Sequence, residues 1–221
     1  MKVLVACEES QRVCMAFRER GHEAYSCDIQ DCSGGHPEWH IKGDVLPLLN
    51  GRCTFRTADT HTHTQSGAWD LILAFPPCTY LTNTGNRWFN TERYGERAFD
   101  RRVKRTEAIK FVWAIAGARC DKIAIENPVG CLSTEWRKPS QIIQPYMFGD
   151  RVRKTTCLWL KGLPNLKPTN IVEPEIYKLK NSNKTDSPWH RDTMNLPKEE
   201  RSRVRSVTYQ GFAKAMAEQW G

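Results

Sequence analysis

Short apolar runs recur along this chain at the spacing of an alternating α/β fold. Residues 2–6 (Lys-Val-Leu-Val-Ala) read as a buried strand, and 11–20 as an amphipathic helix stopped by Gly21. A second strand is expected at 23–29, ending in Asp28, and a short strand or strand end at 41–45, carrying Asp44. The Thr- and His-rich stretch 52–67 reads as an inserted hairpin or loop. Strands follow at 71–74, 123–125 and 156–160, with a long helix at 98–118 whose apolar face combines Ile109, Val112, Trp113 and Ala116. This alternation predicts a doubly wound, mainly parallel sheet. Beyond Lys161 the texture changes: Pro164, Pro168, Pro174, Pro188 and Pro197 punctuate a polar stretch, with a loop at 181–187. A last helix, 211–220, is expected to dock back on the sheet. The expected division is therefore a main domain of 1–160 plus 197–221, with a small irregular annex of 161–196.

Two strand ends carry chemistry. The run Phe75-Pro76-Pro77-Cys78 closes the strand at 71–74. Proline fixes φ and restricts its predecessor, so the loop is stiff and Cys78 is held at a carboxyl strand end, where open α/β sheets place ligands. The competing reading is a packed core thiol. The strand at 123–125 ends in Glu126-Asn127-Pro128, a carboxylate, an amide and a proline. Neighbouring parallel strands would bring Cys78 and Glu126 to one rim; otherwise Glu126 is an acceptor for loop amides and Asn127-Pro128 a turn.

Composition narrows the class. Hydrophobic residues make up 39% of the 221, and mean hydropathy is −0.61. No apolar run is long enough to cross a bilayer, and the start lacks a basic-then-apolar leader, so no membrane partner is expected. The nine cysteines are read as reduced thiols. A net charge of +8 suits a polyanionic partner. The basic residues cluster as Arg93, Arg97, Arg101, Arg102, Lys104 and Arg105, then Arg151, Arg153 and Lys154, then Arg201, Arg203 and Arg205. Aromatics Trp88, Phe89, Tyr94 and Phe99 lie beside the first cluster, a composition that suits a nucleic-acid groove with stacking surfaces. Cys27, Cys32, His36 and His40, and the pair His61 and His63, lack regular ligand spacing, and no metal is expected.

The loop Phe75-Pro76-Pro77-Cys78 and the pair Glu126-Asn127 together resemble the nucleophile and Glu-Asn motifs of DNA (cytosine-5) methyltransferases, in that family's order. The run from Pro76 to Leu81 is most similar to small phage- or prophage-type members. The resemblance implies a Rossmann-like S-adenosylmethionine-dependent methyltransferase fold and methyl transfer to carbon 5 of cytosine in DNA through a covalent cysteine adduct. It implies a cytoplasmic protein of a bacterial host with no obligate protein partner. Cys78 would be the nucleophile, Glu126 would hold the N3/N4 edge of the base, Asn127 would brace the loop, and Arg153, in Arg151-Val152-Arg153, would meet the target nucleotide. S-adenosylmethionine would lie against Cys7, Glu8, Glu9 and Ser10, with Asp28 and Ile29 at the ribose, Asp44 and Val45 at the adenine, and Pro76 beside them. Ser206 and Thr208 resemble the family's last motif. One departure stands out: the turn 7–11 contains no glycine where the family has a glycine-rich one. A catalytically silent DNA-binding or antirestriction protein on the same fold is the alternative, and an amino-group methyltransferase or a free-nucleotide methylase fits less well.

Overall fold

The computed structural model describes residues 1–178 and 185–221. A seven-stranded sheet forms the body. Strand β1 (Lys2–Ala6) is flanked by β2 (Glu23–Asp28) and then β3 (His40–Lys42) on one side. On its other side follow β6 (Leu71–Ala74), β7 (Ile123–Pro128), β9 (Thr156–Lys161) and β8 (Gln141–Ile143). A hairpin of β4 (Cys53–Arg56) and β5 (Thr62–Gln65) accounts for the Thr- and His-rich insertion. Pairings among β3, β2, β1, β6 and β7 are parallel, while β9 runs antiparallel to both β7 and β8. The chain winds outward from β1 in both directions, which makes the gap between the ends of β1 and β6 the switch point.

Side-chain alternation builds a core on each face. Val3 and Val5 point to one side, with Leu71, Leu73 and Leu158, beneath α1 (Arg12–Glu19) and α7 (Gln210–Trp220). Leu4 and Ala6 point to the other, with Ile72, Ile123 and Ile125, beneath α3 (Glu96–Ala116). Nearly every side chain of β1 and β6 is buried on both faces, hence the continuous apolar runs expected of a covered parallel sheet. Along α3 the buried positions are Ala98, Ile109, Val112 and Ile115. Trp113, expected among them, is instead 47% exposed, because the core face runs from Ile109 through Val112 to Ile115, one turn apart each, and Trp113 lies off it.

The remaining elements are small: α2 (Thr91–Tyr94), α4 (Leu132–Glu135), the strand pair β10 (Tyr177–Lys178) and β11 (Thr185–Asp186), α5 (Pro188–Thr193) and α6 (Lys198–Ser206). The loop expected at 181–187 lies outside the described residues as far as 184. Leu166 is buried in the core beneath α7, where its backbone exchanges two hydrogen bonds with the Gln141 side chain. The main body therefore extends several residues past Lys161 before the irregular annex begins.

Candidate functional site

Cys78 follows β6 and Glu126 lies in the carboxyl half of β7, its parallel neighbour, so both reach the same rim. The connection between them is built from the backbone. Asn127 is buried, and its Nδ2 donates to the Pro76 carbonyl at 2.7 Å, tying the end of β7 to the Pro-Pro loop. After Cys78 the chain turns, with the amides of Leu81 and Thr82 both donating to the Cys78 carbonyl. The Cys131 amide donates to the Leu81 carbonyl at 2.8 Å. A Cβ on Gly130 would lie 2.0 Å from that same carbonyl, so only glycine permits this approach. The cysteine loop is thus clamped on both flanks by the loop that carries Glu126.

The electrostatics of the pair are set by burial and by one cation. Cys78 is exposed as a residue, yet its sulfur is crowded, and burial is the main cause that pushes its pKa up. The Glu126 charge pushes in the same direction and Lys154 pulls back. Burial likewise raises the Glu126 carboxyl, again opposed by Lys154. The Glu126 carboxylate takes no hydrogen bond among the described residues, so it faces the rim uncommitted. Lys154 precedes β9; because β9 is antiparallel, its entry reaches the rim that β6 and β7 reach by their exits. Its Nζ donates to the Arg205 carbonyl at 3.0 Å and lies between the rings of Trp189 and Tyr209.

Arg153, expected at this centre, is not brought to it. It is exposed, and its guanidinium reaches the Thr185 hydroxyl at 3.3 Å. Successive residues in extended chain point to opposite sides, so the side of the chain that faces Glu126 belongs to Lys154. Carrying the alternation back from Leu158 through Thr156 would have indicated Lys154 in the sequence.

A cavity of about 550 Å³ opens at the switch point beside this rim. Cys7, Asp28, Ile29, Asp44, Val45 and Pro76 all line it. Tyr80, Lys104, Glu107 and Phe111 complete the wall from the cysteine loop and α3, residues the sequence reading missed because nothing in a long helix marks which flank meets a cavity. Asp28 and Asp44 each use one carboxylate oxygen on nearby amides, Gln30 N and Leu46 N. Their second oxygens have no partner among the described residues. Ile29 is 76% exposed at the mouth.

Glu8, Glu9 and Ser10 are not brought to that cavity. The Glu8 carboxylate turns inward and accepts the amides of Val13 and Cys14 at 2.6 and 3.1 Å, capping α1. Burial pushes its carboxyl up to about 8 against those two bonds. Glu9 accepts from the Ser33 hydroxyl and amide, and the Ser10 carbonyl packs against Gly34. The glycine-free turn nevertheless has left-handed positions at both ends, Cys7 at φ 60° and Gln11 at φ 57°. The Cys7 amide bonds to the Cys27 carbonyl, and the buried Gln11 side chain bonds to both the amide and the carbonyl of His36. These contacts hold a conformation that glycine would adopt freely, at a local cost of about 1–3 kcal/mol per residue. Ser206 and Thr208 also lie away from the cavity: the Ser206 hydroxyl donates to the Arg203 carbonyl, and Thr208 is buried just before α7. Their segment closes over Lys154.

The basic clusters are partly used in structure. Arg101 donates to the Thr79 carbonyl and Arg105 to the Tyr80 carbonyl, holding the cysteine loop to α3. Arg151 bonds to the Glu173 carbonyl, and Arg205 to Thr193 and His190. The histidines and cysteines of the 27–40 stretch pack or pair locally: His40 is buried between the Ser26 hydroxyl and the Gln30 carbonyl, and His36 stacks on Trp39 at 3.9 Å. The chain matches no protein-family model, and no curated protein is similar enough to be counted a relative.

Proposed function

We propose that the protein is a DNA methyltransferase that acts on carbon 5 of cytosine, with Cys78 as the nucleophile. The observation that carries this reading is the convergence of Cys78, Glu126 and Lys154 on one rim, beside a cavity of nucleoside size at the switch point. Carbon 5 of cytosine is a weak nucleophile. Addition of the Cys78 sulfur to carbon 6 breaks the ring's aromaticity and places electron density on carbon 5. Glu126, kept toward its protonated form by burial, gives a proton to N3 and holds the exocyclic amine, which makes carbon 6 easier to attack. Lys154 opposes the burial that keeps the Cys78 thiol protonated. Asn127 fixes the loop through Pro76. After transfer, water takes the proton on carbon 5, the sulfur leaves carbon 6, and the N3 proton returns to Glu126, which restores the ring, Cys78 and Glu126. The base has to leave its stack to reach the rim.

The cavity's donor set fits S-adenosylmethionine. Asp28 and Asp44 would accept from ribose hydroxyls and the adenine amine through their unpartnered oxygens, and Ile29, Val45, Pro76 and Phe111 offer apolar surface to the base. When bound, the cofactor supplies the electrophilic methyl group. The unpartnered oxygens of Asp28 and Asp44 at the cavity favour this reading over a silent DNA-binding protein.

The test is to incubate the protein with labelled S-adenosylmethionine and with duplex, single-stranded and free-nucleotide substrates, then to identify the modified base. Label on carbon 5 of cytosine in DNA is expected, and Cys78→Ser should lose it while remaining folded. A 5-fluorocytosine oligonucleotide should trap the wild type covalently. Trapping that persists in Cys78→Ser would refute the assignment.

A further inference from the structure

The segment that follows Cys78 leaves three aromatic rings at the surface. Trp88 is 41% exposed and Phe99 60% exposed, and Trp88 meets Tyr94 with ring centroids 4.9 Å apart. Each ring has a guanidinium near it: Arg87 at 4.7 Å from Trp88, Arg93 at 5.5 Å from Tyr94 and Arg102 at 5.9 Å from Phe99. Between residues 87 and 105 there are seven basic and three acidic side chains. None of the seven is ion-paired among the described residues.

The segment is fixed in place. Arg105 stacks on Phe89 at 3.6 Å and bonds to the Asn86 side chain, while Arg102 reaches the Phe89 carbonyl. Together with the bonds from Arg101 and Arg105 to the carbonyls of Thr79 and Tyr80, these contacts hang the surface rings on α3 directly beyond the cysteine loop. An exposed tryptophan and phenylalanine normally cost solvation. Here they are rigidly presented, interleaved with uncompensated arginines, and adjacent to the candidate nucleophile.

We propose that this surface is a base-stacking platform for an unpaired DNA strand, so that the strand entering the site is single-stranded where it crosses Trp88 and Phe99. The location beside Cys78 rests on the reaction proposed above. The chemistry of the surface selects the partner: arginines neutralise phosphates, and ring faces stack on bases, which a duplex keeps stacked on one another. A partner protein would bury the rings without needing the unpaired cations.

Binding of a fluorescent oligonucleotide, followed by anisotropy without any methyl donor, tests the platform separately from turnover. The wild type should bind the single strand about tenfold or more tighter than the duplex of the same sequence. Trp88→Leu with Phe99→Leu keeps apolar bulk and removes the ring faces; this double variant should bind the single strand about tenfold or more weakly, since each stacked base contributes about 5-fold or more. Trp88→Phe should restore part of the loss. Circular dichroism and thermal melting check that the variants fold. Equal affinity for duplex and single strand would overturn the proposal, as would unchanged affinity of the leucine variant. A wild-type dimer in sedimentation equilibrium that the leucine variant breaks would show a protein interface and overturn it too. Methylated DNA together with unchanged binding by the leucine variant would leave the reaction standing and remove the platform. Ring-dependent binding without any methylation would do the reverse.

Discussion

Replacing Asn127 by leucine should separate stability from activity. Asn127 is only 1% exposed, and its two polar ends have opposite fates. Nδ2 donates to the Pro76 carbonyl at 2.7 Å, whereas Oδ1 is buried with no partner among the described residues. Leucine has a similar shape and removes both ends. The Pro76 carbonyl then loses its donor, which costs about 1–3 kcal/mol. The orphaned oxygen also disappears, which returns about 1–3 kcal/mol. The two nearly cancel, so the urea midpoint should move little, with a net change within about 1.5 kcal/mol. Activity should not be spared. Pro76 stands two residues before Cys78, and without the bond from Asn127 the loop loses its tie to the strand that carries Glu126. A displacement of about 1 Å at a reacting group is enough for a loss of about 100-fold. Single-turnover methyl transfer to a cytosine-containing oligonucleotide reads that loss, and urea unfolding of the same preparation reads the stability. Wild-type turnover in Asn127→Leu would refute the bracing role. A destabilisation beyond about 3 kcal/mol would refute the cancellation.

Three further outcomes are expected. Asp28→Ala or Asp44→Ala should weaken binding of S-adenosylhomocysteine by about 1–3 kcal/mol each in titration calorimetry, and unchanged affinity in both would exclude those carboxylates from the cavity's chemistry. Lys154→Met should raise the pH at which iodoacetamide alkylates Cys78, because the one cation that lowers the thiol is gone; an unmoved profile would show that Lys154 does not act on the sulfur. Glu8 has its carboxyl raised from 4.5 to about 8, so its neutral form is favoured in the folded state. That contribution is complete below pH 4.5 and is lost as the pH rises through 8, on the order of 5 kcal/mol at full loss. Urea unfolding across that window should show the decline in the wild type and little of it in Glu8→Gln.

The strands that position the site were legible because they are buried on both faces: 3–6, 71–74 and 123–125 are apolar throughout, and each lies in a central strand. Strand β8 was not. It has three residues, and Ile142 in its middle is 54% exposed at the sheet edge, so no periodicity reveals it. Helix α6 is almost wholly polar and is held through bonds such as that from Arg201 to the Met194 carbonyl, which composition does not disclose. At the site, Pro-Pro before Cys78 and Asn-Pro after Glu126 announced themselves as stiff strand ends. The left-handed Cys7 and Gln11 did not, since side chains with a Cβ seldom adopt that conformation and only the contacts from Cys27 and His36 enforce it. The acidic run Glu8-Glu9 suggested ligand contacts, but both carboxylates serve amides and hydroxyls of the protein itself.

The reversal of β9 has an evolutionary consequence. Its register against β7 is fixed by pairs such as Glu126 with Leu158 and Pro128 with Thr156, so the interval between Lys154 and Leu158 sets where the ammonium stands relative to the carboxylate it influences. Deleting one residue there would draw the neighbouring side chain about 3.3 Å along and turn it to the opposite side of the chain. Selection should therefore act on the length of this stretch more strictly than on its composition. Lineages that keep the same centre should tolerate exchange of Thr155 while admitting no insertion between Lys154 and Leu158. The stretch 167–176 is held to 146–151 instead, through bonds such as Val172 N to the Tyr146 carbonyl and Arg151 to the Glu173 carbonyl, so its length is constrained by that segment and not by the rim.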